Sequence, residues 1–254
     1  MKKTEKTSKS KKGIAEKQHE ALEAQLGFPI PKAVSRIGPV TKARAGEVAR
    51  RLKSAYPGPH EPFLNFENPY QCVVAVALSA QTTDENVNKV LPELFERWPD
   101  SATLLRASQR EVEECVHSLG FYRQKARNLL GMARIVVEDY GGEIPARMVD
   151  LLRLPGVARK TANIVLSESF GVVQGIAIDT HVYRVSTRLG ITRAKTPDKA
   201  EGDLCKAFDY GDWYRINHDM ISLGRAICDA RRPLCENCFL FDICPSAENT
   251  KKYT

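Results

Sequence analysis

Leu154-Pro155-Gly156-Val157-Ala158-Arg159-Lys160-Thr161-Ala162-Asn163 lies between two segments whose apolar residues recur at helical spacing. Pro155 predicts the end of the first segment, because the residue before a proline is pushed out of the α conformation. Gly156 permits the tight reversal that follows. The stretch therefore predicts a helix, a short hairpin and a second helix.

The start of the second helix is a predicted anion site. The first backbone N–H groups of a helix have no partner within it, and the helix dipole adds positive potential there. Together they form a seat for a phosphate, and nothing in that seat reads a base. Taken alone, the stretch is equally compatible with an ordinary helix pair joined by a Pro-Gly turn.

Composition narrows the class of protein. The chain has 254 residues, 43% of them hydrophobic and 27% charged, which suits one large globular domain or two modest ones. Its net charge of +7 favours an acidic partner, either nucleic acid or an anionic membrane surface. No apolar run approaches the roughly 18 residues that span a bilayer, and no signal-peptide core is present. We therefore expect no membrane partner and a location inside the cell.

Four of the seven cysteines crowd into one short segment near the end of the chain, at Cys228, Cys235, Cys238 and Cys244. Four closely spaced thiols in an intracellular protein predict a metal site rather than disulfides. Spacing physics alone favours structural zinc, because sites of four cysteines commonly hold it. The other three cysteines are scattered in helical patterns and are predicted to be small core residues.

Residues 1–34 form a predicted basic arm. Seven lysines fall within the first 17 residues, and few apolar residues accompany them. Such a segment cannot offset its ordering entropy and is predicted to be disordered. It suits either sequence-independent DNA affinity or a solubilising tail, and both interpretations stay open.

The rest of the chain is predicted to be helical. Asn68-Pro69 is a strong helix start, and the run from Gln71 to Leu78 that follows is apolar on all sides, which is typical of a helix through the middle of a domain. Ser108 and Glu111 form a capping box for a helix expected to end at Gly120. The predicted fold class is all-α.

Together the hairpin and the cysteine segment resemble the endonuclease III branch of the helix-hairpin-helix DNA glycosylase superfamily. The resemblance covers residues 62–244, roughly three quarters of the chain. It implies two lobes with a cleft between them: a six-helix barrel over 62–172 that includes the hairpin, and a cluster domain combining 35–61 with 173–254. It also implies a [4Fe–4S] cluster, rather than zinc, on the four cysteines.

The resemblance implies a bifunctional DNA glycosylase/AP lyase of base excision repair. Its partner would be double-stranded DNA containing oxidised pyrimidines or abasic sites, bound by a monomer in the cytoplasm at the nucleoid. Lys160 falls at the branch's catalytic lysine and would attack the anomeric carbon of a flipped nucleotide, which requires a neutral amine. Asp179 would assist by proton transfer, facing Lys160 across the cleft, although an N-cap role suits it equally. His181 is expected to be structural.

The resemblance also implies several DNA contacts. Gln81 would enter the stack where the damaged nucleotide has left, and Phe121 would wedge apart the opposite strand, unless these two are an ordinary turn residue and a buried aromatic. Two groups of residues would contact the backbone phosphates: Gly156, Ala158 and Arg159 in the hairpin, and Arg231 and Arg232 between the first two cysteines.

The hairpin departs from the family at one position, where Ala158 replaces a usual second glycine. If that position needs a positive φ, alanine costs about 1–2 kcal/mol there.

Four rival interpretations were weighed. The adenine glycosylase branch lacks the lysine and carries a glutamate in its first core helix, where this chain has only the apolar run Val73 to Leu78. A pyrimidine mismatch glycosylase also typically lacks the lysine, and a non-catalytic damage sensor would bind abasic DNA without cutting it. A metal redox carrier leaves the hairpin and the positive charge unexplained. Lys125 lies in a setting faintly similar to that of Lys160 and is the rival basic residue to test.

Overall fold

The structure is a computed structural model that describes residues 40–247, and the predicted basic arm over 1–34 lies outside them. The described residues are helical and contain no strand. They hold the α-helices α1 Lys42–Ala55, α2 Pro69–Leu78, α3 Asp84–Arg97, α4 Ser101–Leu105, α5 Gln109–Cys115, α6 Tyr122–Tyr140, α7 Met148–Leu151, α8 Arg159–Phe170, α9 Thr180–Arg188, α10 Pro197–Ala207 and α11 Trp213–Ala226. A short 3₁₀ turn at Tyr210–Asp212 precedes α11, and two more follow it at Cys235–Asn237 and Phe241–Ile243. None of these helices is both long and apolar enough to cross a membrane.

The chain divides into two compact units. One unit, which we call the hairpin unit, is residues 59–177 and contains α2 to α8. The other, which we call the cysteine unit, combines the chain up to residue 58 with the chain from residue 178 onward, and its described part contains α1 and α9 to α11.

Helix α2 is the centre of the hairpin unit. The side chain of Asn68 accepts a hydrogen bond from the Gln71 N–H at 2.9 Å, and Pro69 occupies the first helical position, as the sequence predicts. All residues of α2 except Pro69 and Gln71 are buried, and the helix packs against α3, α6 and α8. The second helix of the hairpin is therefore anchored directly on the core helix of its unit.

Two helices end earlier than the sequence predicts. The first helix of the hairpin is a single turn that stops at Leu151, and turns at Leu154 and Val157 lead into α8. Helix α5 has the predicted capping box, but it ends at Cys115 rather than Gly120. The Leu119 N–H there bonds to the Val116 carbonyl at 3.0 Å, which is the spacing of a tight turn and not of an α-helix.

In the cysteine unit, α11 packs against both α1 and α9. Arg51 of α1 reaches the segment that carries the cysteines, where it donates to Asp242 at 2.5 and 2.9 Å and to the Phe239 carbonyl at 3.0 Å. The first described helix of the chain thus holds the last segment in place.

Candidate nucleic-acid interface and metal centre

The predicted phosphate seat lies at the start of α8. The first bond of the helix runs from the Ala162 N–H to the Ala158 carbonyl at 2.9 Å, so the N–H groups of residues 159–161 precede the helical ladder. The N-cap residue, Ala158, has no side chain that could occupy them. The positive end of the helix dipole at this position favours an anion such as a phosphate.

Gly156 is needed at the hairpin for two reasons. Its φ is +83°, in the left-handed region that favours glycine. A Cβ at this position would also lie 3.1 Å from Nδ2 and 3.2 Å from Cβ of Asn128, which belongs to α6. The hairpin can thus lie this close to α6 only because residue 156 has no side chain.

The substitution of the usual second glycine by Ala158 costs nothing in backbone strain. Ala158 has φ −93° and ψ 175°, which is extended backbone that any residue adopts. The condition under which alanine would be strained is therefore not met, and the position still supplies the carbonyl that starts α8.

Lys160 is the second residue of α8 and is half-buried. Within the hairpin unit no side chain pairs with its ammonium or accepts a hydrogen bond from it. This lysine lies beside the positive end of the helix dipole. Lys160 thus has positive backbone potential beside it and no carboxylate partner in its own unit, which suits a lysine nucleophile.

Gln81 and Phe121 share a rare backbone conformation. They are the two non-glycine residues within 40–247 that have a positive φ, at 54° and 59°. Such a conformation costs about 1–2 kcal/mol for a residue with a Cβ, and it is concentrated at functional sites. Both side chains are exposed, Phe121 at 68%, so the alternative of a buried aromatic is wrong.

Asp179 is the N-cap of α9. Its Oδ1 accepts the Val182 N–H at 2.7 Å, so the structural role foreseen for it is present and uses one of its two oxygens. Two residues further on, His181 contacts an Arg184 nitrogen through Nδ1 at 3.0 Å. Burial lowers the pKa of His181, and the predicted structural role suits a neutral imidazole held in this way.

The four clustered cysteines line one pocket of the cysteine unit. Its other walls are mainly apolar and come from the ends of α9 and α11 and from the loop itself, and they also include two polar residues, Arg188 and Ser246. Burial raises the pKa of the Cys235 thiol to about 11 and that of Cys244 to about 12. Thiols in such a pocket ionise only against a strongly positive partner, which a metal supplies. The donor set and its apolar shell therefore fit a group that takes four thiolate ligands.

Sequence reasoning missed two arginines that support this pocket. Arg184 and Arg188 are each only 5% exposed. Arg188 donates to Sγ of Cys228 at 3.3 Å and to the carbonyls of Asp229 and Ala230 at 2.5 and 2.8 Å. Arg184 donates to the Cys228 carbonyl at 3.0 Å and to the Gly224 carbonyl at 2.8 Å. The detectable signal was their spacing of four residues, which places both on one face of a helix otherwise rich in buried residues.

The segment between the first two cysteines presents Arg231 and Arg232 to solvent. The backbone N–H groups of both residues donate to Oδ1 of Asp229, at 2.8 and 2.9 Å. These two bonds hold the pKa of the Asp229 carboxyl below its usual range, and the bond from Arg232 has the larger effect. The two arginines are thus displayed on a backbone that is already ordered.

Comparison with known proteins agrees with this geometry. Residues 74–209 match the HhH-GPD superfamily of base excision DNA repair proteins, and residues 228–244 match the iron-sulfur binding domain of endonuclease III. Endonuclease III of Synechocystis is 50% identical over 207 residues, which are 82% of this chain and 94% of the relative. Endonuclease III of Escherichia coli K12 is 36% identical over 209 residues, 82% of this chain and 98% of the relative.

A solved structure of a trapped endonuclease III-DNA covalent intermediate superposes with a TM-score of 0.79 at 38% identity. The match covers 84% of this chain and 99% of that one.

A helical fold with an open hairpin and a four-cysteine loop defines an iron-sulfur DNA repair protein of the helix-hairpin-helix superfamily. Identity of up to 50% across nearly the whole length of its relatives places the chain more narrowly. The chain belongs to the endonuclease III family. It is a bifunctional DNA glycosylase/AP lyase of base excision repair, and its cofactor is a [4Fe–4S] cluster rather than zinc.

Proposed function

We propose that this protein removes oxidised pyrimidines from duplex DNA and then cleaves the abasic strand through a Schiff base on Lys160. The observation that carries the proposal is the position of Lys160, half-buried in the first turn of the hairpin helix and without a carboxylate partner in its own unit. The family supplies the reaction class, and this environment supports Lys160 as the nucleophile.

The proposed chemistry uses the neutral amine of Lys160. Its Nζ attacks C1′ of a flipped nucleotide, the glycosidic bond breaks, and the base leaves with a proton. One amine proton leaves with the base, the other passes to O4′ as the C1′–O4′ bond breaks, and an imine forms between Nζ and C1′. Removal of a proton from C2′ then expels the 3′ phosphate, which is β-elimination.

Asp179 is the proposed proton-transfer partner in this scheme. The N-cap bond to Val182 fixes its carboxylate through Oδ1, so Oδ2 can accept and return protons without reorienting the group. A carboxylate held in this way also stabilises the positive charge that develops on the sugar when the base leaves.

The proposed DNA contacts divide into two kinds. The N–H groups behind Gly156 and Ala158, with Arg159, would bind phosphates of the damaged strand and position it without reading sequence. Gln81 and Phe121 would fill and split the base stack, a role supported by their exposure and their left-handed backbone.

Arg231 and Arg232 would contact further phosphates from the cluster loop. We propose that residues 62–172 form the barrel domain and that residues 35–61 with 173–254 form the cluster domain. The protein would act as a monomer on nucleoid DNA in the cytoplasm.

The test is borohydride trapping on a duplex that carries one thymine glycol. The natural chain should give a covalent complex, Lys160→Gln should give none while still binding the duplex, and Lys125→Gln should retain the complex. Trapping by the Lys160 variant would contradict the assignment of the nucleophile. Tight binding by the natural chain without any base release would instead support a damage-binding protein.

A further inference from the structure

We propose that Lys125 is a positioning residue that links the turn at Gln81 to the start of α6 at Phe121. Through this link Gln81 and Phe121, the two residues proposed to enter the DNA stack, move as one unit. The proposal rests on the function proposed above, because it assigns work to residues that act on DNA there. It concerns a buried lysine that the proposed chemistry does not use.

Lys125 contacts the segments of both Gln81 and Phe121, one through its side chain and the other through its backbone. Its backbone N–H donates to the Phe121 carbonyl at 3.0 Å, which makes it part of the first turn of α6. At the other end, its Nζ donates to Oγ1 of Thr82 at 2.5 Å, and Thr82 directly follows Gln81. One side chain therefore spans the two segments whose residues have the strained backbone.

The hydrogen bonds around Gln81 show how the link acts. The Thr82 N–H donates to the Ser79 carbonyl at 3.1 Å, which closes a turn with Gln81 at its third position. An ammonium can only donate, so Thr82 Oγ1 must accept from Lys125, and its own proton points to the Ala80 carbonyl at 3.4 Å. The lysine thus fixes the residues on both sides of Gln81.

Stability alone is a poor reason for a lysine at this position. Lys125 is 6% exposed, and no carboxylate in residues 40–247 pairs with it. Burial lowers the pKa of its ammonium, which reports that the environment disfavours the charge. A methionine would fill the same space without burying a charge. The charge-assisted bond to Thr82 is the contact that only a lysine of this reach provides.

The same contacts separate Lys125 from the nucleophile. Its amine is buried and donates to Thr82, whereas Lys160 lies beside the predicted phosphate seat. Lys125 therefore touches no reacting atom in this scheme and acts only through Gln81 and Phe121.

The experiment compares Lys125→Met, Thr82→Val, the double variant and Thr82→Ser by three measurements. Anisotropy of a labelled undamaged duplex reports phosphate binding. The fluorescence of 2-aminopurine placed opposite a tetrahydrofuran abasic analogue reports insertion into the stack. Single-turnover release of thymine glycol reports catalysis. Lys89→Met removes an exposed lysine of the same unit and serves as the charge-matched control.

We expect Lys125→Met and Thr82→Val each to slow insertion and base release roughly tenfold, the scale of one lost hydrogen bond to a charged group. The double variant should be no slower than either single variant, because both remove the same link. Thr82→Ser keeps the hydroxyl and should behave like the natural chain, as should Lys89→Met. Binding to undamaged DNA should change less than about twofold, because no phosphate contact is lost.

Two outcomes overturn the proposal. One is that Thr82→Val inserts and releases the base as fast as the natural chain, and the other is that the slowing in the double variant is the product of the slowing in the two single variants. If Lys125→Met does not fold, the pair Thr82→Val and Thr82→Ser still decides, because neither buries or removes a charge. Absence of base release by the natural chain would overturn the proposed substrate instead, and the 2-aminopurine signal would then test Lys125 independently.

Discussion

The hairpin around Gly156 and the loop from Cys228 to Cys244 both present positive potential, but different forces hold them. The hairpin offers backbone N–H groups, and its shape depends on one left-handed glycine packed on Asn128. The loop offers two arginine side chains, and its shape depends on the cluster ligands together with Arg188 and Asp229. A hydrophobic core is sufficient to order the hairpin. The loop contains few buried residues and needs a metal centre that links its cysteines.

The largest expected effect comes from removing one ligand of the metal centre. Cys244→Ala should lose iron and the yellow-brown colour of the cluster, because a cluster held by four cysteines loses one ligand. The cysteine unit should lose stability, while the hairpin unit keeps its own core. Cys205→Ala, a change in the same unit but outside the pocket, should keep iron and colour. Iron content, visible absorbance and thermal unfolding measure this, and a Cys244 variant with full iron content would contradict the ligand assignment.

The second effect concerns the hairpin. Gly156→Ala adds about 1–2 kcal/mol of backbone strain, and its Cβ must also displace Asn128. Gly171→Ala is the matched control, because Gly171 also has a positive φ, +65°, but has open space around its missing Cβ. Both variants should melt earlier than the natural chain. Only Gly156→Ala should also lose DNA affinity, by roughly tenfold if one phosphate seat is distorted. Equal affinities of the two variants would remove the hairpin from the interface.

The same contrast explains how much the sequence could predict. The Asn-Pro helix start, the capping box and the Gly156 reversal depend on neighbouring residues, so they could be derived from local chemistry. The early ends of α5 and α7 could not, because those turns depend on how the segments pack. Four clustered cysteines indicate a metal, but only the family resemblance identified the cluster.

The residues that hold the site in place were harder to predict than its reactive residues. Arg188 and Lys125 contact residues 40 and 43 positions away in the chain. No local pattern encodes a contact across such a separation, so the supporting role of both residues was recognised only once the fold was known.

The third effect tests whether the loop meets DNA. The double variant Arg231→Gln with Arg232→Gln removes two exposed charges, so the slope of log affinity against log salt should fall by up to about 1.8. Changing two exposed lysines of α10, Lys199 and Lys206, to glutamine lowers the net charge equally and should leave that slope nearly unchanged. Anisotropy titrations at several salt concentrations measure both, and equal slopes for the two double variants would assign the loop's charge to general steering.

The smallest expected effect distinguishes two contributions of the loop to DNA binding, the ordering of its backbone and the charge of its arginines. Asp229→Asn and Asp229→Ala each remove one negative charge near the two arginines, but only asparagine keeps an oxygen that can accept the N–H groups of Arg231 and Arg232. Binding of the alanine variant must therefore order the loop, and we expect its affinity for DNA to be about two- to fivefold below that of the asparagine variant. The salt slopes of the two should be equal, because they carry the same charges. If the two variants bind equally well, the cluster and Arg188 are sufficient to order the loop, and the turn at Asp229 contributes nothing to DNA binding.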